Sequence, residues 1–197
     1  MPFDIELCDI SIYVKIKCIK MKTFIIASII AASLSLTAKA DYYQPTSAVT
    51  LIAADVQSPA LSQLLSLYYN IKNALVSSNA NAAATQAGEF VKAINGIDMK
   101  ALSEAEMNAF MLLQEKLIFD AKHISESKEI GYQRDQFKSF SDNLYKLAKA
   151  VKLSDQPIYQ DYCPMKKAYW LSSETAIKNP YFGNQMLTCG KVNDTIK

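Results

Sequence analysis

Ser58 to Leu75 reads SPALSQLLSLYYNIKNAL, and its spacing decides the fold class. Leu61, Leu64, Leu65, Tyr68, Ile71 and Leu75 recur at i, i+3, i+4 and i+7, which puts them on one face of a helix rather than on one side of a strand. Ser58-Pro59 is a start signal: a capping residue, then a proline at the first helical position, where its missing N–H is no loss. Ser77-Ser78-Asn79 ends the pattern.

Three more patterns follow downstream. Ala83, Ala87, Phe90, Val91 and Ile94 share a face of an alanine-rich helix, and Asn95-Gly96 predicts a left-handed stop. Ser103-Glu104-Ala105-Glu106 has the form of a capping box opening a third helix, with Phe110, Leu113, Leu117, Ala121 and Ile124 inward. A fourth carries Ile130, Phe137, Phe140, Leu144, Leu147 and Val151. Ser125 and Ser127 mark a kink or a short turn between the last two, with one long helix as the alternative. The expected fold is therefore all-α, an up-down bundle of about four helices with short links. No period of two appears before residue 155. Beyond Leu153 the chain is rich in Pro, Tyr, Lys and Asn and holds its single Trp. This tail is expected to be irregular, with a short helix near Ser172–Lys178, and to pack on the bundle.

Met21–Ala40 reads MKTFIIASIIAASLSLTAKA, with Lys22 before an apolar run and Ala38-Lys39-Ala40 as a small-x-small cleavage site. It is expected to be a cleaved signal peptide, and its apolar run is too short for a permanent span. Residues 1–20 read as a mis-assigned start, and Cys8 and Cys18 are set aside with the leader. With no cysteine at the cleavage point, a lipid anchor is not expected. The mature chain would begin near Asp41, with an extended segment over 41–57 and one helical domain over 58–192, of which 155–192 carries the function. Those 157 residues hold 16 basic and 16 acidic side chains. A balanced charge offers nothing to nucleic acid or an anionic membrane. The expected location is periplasmic or secreted.

Cys163 and Cys189 are the two cysteines after the leader, 26 positions apart. Each has a methionine close by, Met165 and Met186. Two thiols and two thioethers form a soft ligand set, which favours Cu(I), with Zn second. In an oxidising compartment the same thiols could form a disulfide, stabilising the loop by about 3 kcal/mol. Both fates stay open at this level. His123, the one histidine of the chain, is a further candidate ligand if the tail folds back on the end of the third helix. Tyr169, Trp170, Tyr181 and Phe182 would pack the tail or shield a metal. No Ser-His-Asp order, phosphate-binding glycine loop or HExxH motif occurs, so an enzyme is not expected.

The blocks Ala121–Glu126, Gln133–Phe137, Tyr162–Met165, Tyr169–Ser172 and Ile177–Gly190 resemble an uncharacterised bacterial domain family. It occurs alone in exported proteins and appended to membrane-fusion subunits of copper and silver efflux pumps. The resemblance spans roughly residues 60–192 and rests on the CPM and NPYFG blocks together. It implies a helical domain with a metal-associated role at the cell envelope and heavy-metal efflux components as partners. Cys163, Met165, Met186 and Cys189 fall on the family's sulfur motif and His123 on its histidine-containing helix end. Met165 and Trp170 are linked without the Gly/Asn-rich insertion of many relatives. The second reading is a disulfide-stapled interaction module with no metal.

Overall fold

A computed structural model describes residues 58–197. The leader, its cleavage site and the 41–57 segment lie outside the described residues. Four helices form: α1 (Pro59–Val76), α2 (Ala80–Asn95), α3 (Glu104–Glu126) and α4 (Ile130–Ala150). Consecutive helices pack on one another, and α1 also meets α4. Each of the six spaced apolar residues of α1 is buried. The core includes a stacked pair, Tyr68 and Phe137, with centroids 5.1 Å apart, and an edge-on pair, Phe90 and Phe140, at 4.8 Å.

The helix ends follow from local chemistry. Ser103 and Glu106 form the expected capping box. Gly96 follows α2, but at φ −88° it is not left-handed; its N–H reaches the carbonyls of Lys92 and Ala93 without that turn. The chain breaks between α3 and α4, where buried Gln133 donates to the carbonyls of Ile124 at 3.2 Å and Ser127 at 2.7 Å. Carbonyls that a continuous helix would have satisfied internally are thus satisfied by a side chain.

The all-α expectation is overturned beyond the bundle. The tail forms a three-stranded antiparallel sheet of β1 (Ile158–Cys163), β2 (Ala168–Ser172) and β3 (Lys191–Ile196), in the order β2-β1-β3. The reason is composition. Ile158, Tyr159, Tyr162, Tyr169 and Trp170 suit a pleated surface, and Pro164–Lys167 closes a hairpin with Lys167 left-handed at φ 51°. The expected helix at Ser172–Lys178 does not form; the helical piece of this region is a single 3-10 turn at Gly183–Gln185. On β3, Asn193 is an extra residue, because Asp194 to Val192 matches the single step from Gln160 to Asp161. Tyr145 and Lys149 of α4 both bond Asp194, holding its carboxyl below the ordinary range and tying β3 to the bundle.

Strand β2 is an edge, and two tyrosines cover it. The Leu171 N–H donates to Tyr68 Oη at 2.9 Å, and the Tyr181 hydroxyl donates to the Tyr169 carbonyl. Tyr68 Oη also lies 2.8 Å from Ser141 Oγ. Backbone groups that would invite another strand are therefore used.

The loop between β2 and β3 is fixed to the bundle near Gly183. Arg134 Nε donates to the Pro180 carbonyl at 2.9 Å, and its Nη2 donates to the Leu75 carbonyl and Ser78 Oγ. Gly183 sits at φ +55°, and a Cβ there would meet Arg134 Nη2 at 2.7 Å and the Val76 carbonyl at 2.8 Å. Gly183→Ala combines a left-handed side chain with overpacking and should destabilise by about 3 kcal/mol. Urea melts of the variant beside the parent check this; a midpoint shift within error would contradict it.

Candidate functional site

The strand register brings the two cysteines together. Tyr162 pairs with Lys191, so the chain just after β1 runs beside the chain just before β3. Cys163 ends β1 and is fully buried; Cys189 is half-buried. Both are free thiols, and the Cys163 sulfur is close enough to act on the Cys189 thiol. Two successive amides of the hairpin turn face them. The Lys166 N–H donates to Cys163 Sγ at 3.4 Å, and the Met165 N–H is directed at the Cys189 sulfur. Partial burial raises the Cys189 thiol above its ordinary pKa, and the Cys163 sulfur adds to this, while the Met165 amide opposes it. Loss of the Cys189 proton is thus resisted by desolvation and by the neighbouring Cys163 sulfur, and assisted by a backbone donor.

The neighbourhood is rigid on one side. Asn179 is fully buried. Its Nδ2 donates to the Cys189 carbonyl at 2.7 Å, its Oδ1 accepts from the Tyr181 N–H, and its own N–H donates to the Leu187 carbonyl. This side chain sets where Cys189 sits, and sequence reasoning passed over it. The Asn-Pro pair at 179–180 was the available signal, since it marks a turn. Gly190 lies against the Trp170 ring, where a Cβ would come within 2.8 Å of Cη2.

The other candidate ligands are placed differently. Met165 stands at the hairpin tip, 65% exposed. Met186 is half-buried, and its carbonyl accepts the Cys189 N–H at 3.1 Å. His123, in the last turn of α3, has its Nδ1 2.9 Å from Tyr132 Oη and its ring edge-on to Phe119. Among the described residues no three His, Cys, Asp or Glu side chains converge on one point, so His123 does not join the cysteine pair. The arrangement offers two neighbouring thiols as a donor pair. Lys166 forms a 2.6 Å ion pair with Asp135, an exposed contact of little energetic weight.

Among the described residues no helix is long and apolar enough to cross a membrane. No curated protein and no solved structure matches the chain. Residues 64–156 match the model of one domain family, described as a protein of unknown function (DUF3347). The match spans most of the helical bundle and ends before β1, so it includes His123 and neither cysteine: the bundle is similar to an uncharacterised domain family, and the thiol pair lies outside the matched stretch.

Proposed function

We propose that the chain binds Cu(I) between Cys163 and Cys189 and acts as a chaperone or scavenger, exported through the 21–40 leader and working with heavy-metal efflux components. One observation carries this reading: two free sulfurs are neighbours, one buried and one half-exposed, with backbone amides aimed at both. Cu(I) is satisfied by two soft thiolates, whereas structural Zn asks for four ligands in a tetrahedron. Among the described residues no third His, Cys, Asp or Glu joins the pair, and a two-sulfur donor set suits Cu(I) better than Zn. Met186 and Met165 are the further sulfurs that could complete a site. Thiols must lose protons to bind, so uptake should weaken as pH falls.

The same adjacency supports a second reading, a Cys163–Cys189 staple in an envelope interaction module. Native intact mass of the protein purified from copper-fed cells separates the two. A one-copper adduct is expected. A metal-free mass lighter by two hydrogens overturns the metal reading in favour of the staple.

A further inference from the structure

The face of the sheet that carries Cys163 also carries a charge that no contact described above uses. Asp161 is fully buried, yet neither of its carboxylate oxygens has a hydrogen-bond partner in the protein. The buried indole N–H of Trp170 is unpartnered too. The two residues are direct cross-strand partners. Their side chains therefore leave the sheet on the same face, with Cβ atoms about 5 Å apart. Lys72 of α1, only 3% exposed, adds a positive charge that acts on Asp161.

Each unsatisfied buried polar group costs about 1–3 kcal/mol. Three such atoms on one cross-strand pair would remove much of the roughly 5–15 kcal/mol that holds a domain folded. One lone donor and two lone acceptors that share a face, yet form no bond to each other, suit a molecule that both donates and accepts. A cation fits poorly, because among the described residues no cluster of ligating side chains includes Asp161.

We propose that Asp161 and Trp170, with Lys72 beside them, hold one sequestered water molecule at the seam between the sheet and α1. The water accepts from the Trp170 Nε1–H and donates to the Asp161 carboxylate. A buried water takes two to four polar partners, and this cross-strand pair carries three unpartnered polar atoms. The assignment is independent of whether the cysteines bind metal.

Trp170 is the single tryptophan of the chain, so its indole N–H gives one resonance in a nitrogen-15 spectrum of the full chain. A water cross-peak on that resonance, with the sign of a long-lived bound water, is expected. It should fall at least severalfold in Asp161→Leu. No water cross-peak in the wild type overturns the proposal. So does a crystal structure with the indole bonded directly to the carboxylate; one with a water about 3 Å from both atoms supports it. If Asp161→Leu does not fold, the wild-type spectrum and crystal structure decide alone.

Discussion

Cys189→Ser is expected to lower Cu(I) affinity at least about a thousandfold, or about 4 kcal/mol, while leaving the fold nearly as stable as before. A two-sulfur site that loses one thiolate keeps half its donors, and a hydroxyl is a hard, protonated substitute. Cys189 is half-buried, so the change adds little desolvation. Its backbone, held by Asn179 and by the Met186 carbonyl, is untouched. Cys163→Ser should lose the metal equally but also cost stability, because position 163 is fully buried and an added hydroxyl must be satisfied there. Met186→Leu should weaken binding less than either. Competition against a colorimetric Cu(I) chelator, with thermal melts of the same samples, measures both quantities. Equal affinity across wild type and all three variants would sink the metal reading.

The second large effect concerns pH. Burial raises the Asp161 carboxyl to about 7, with Lys72 pulling the other way. Its ordinary value is 3.8; taken whole, that difference corresponds to about 4 kcal/mol, an upper bound that solvent screening and a water donating to the carboxylate both bring down. The sign follows from proton counting. Between those two values the folded protein keeps a proton that the unfolded chain has released. Raising the pH through this window therefore favours unfolding, and the contribution is gone above about pH 7. Asp161→Asn cannot titrate, so its stability relative to the parent should climb by about 2 kcal/mol from pH 4 to pH 8. Asp120 and Asp142 are also raised by burial, but both proteins share them and their effect cancels. Urea melts of the two proteins at a series of pH values provide the comparison, and parallel stability curves would refute it.

The bundle was legible because each helix exposes one side. Leu61, Leu64 and Leu65 announce α1 through spacing alone, and Ser103 with Glu106 announces the start of α3. The sheet was not legible, for a physical reason. β1 alternates only in part, since neighbouring Gln160 and Asp161 are both buried, and polar residues inside a strand mimic a loop. β3 reads as polar because its first half is exposed. The pairing of Cys163 with Cys189 was visible as a composition, two thiols in one tail, but their contact depends on a β1–β3 register that no local pattern encodes. The distance between His123 and that pair has the same origin: linear order placed it near a helix end and said nothing of which face the tail would use.

The tyrosine covers of β2 also order events in time. Tyr68 precedes Leu171 by 103 residues, so a chain that emerges N-terminus first, from a ribosome or a translocation pore, presents the first cover long before the strand exists. Tyr181 follows Tyr169 by only 12 residues, and the second cover arrives almost with the strand it protects. Strand edges left open during folding are where chains associate wrongly. Here both covers are part of the chain by the time it has extended 12 residues beyond Tyr169, so the interval in which the β2 edge lacks a partner for its backbone is short in sequence terms.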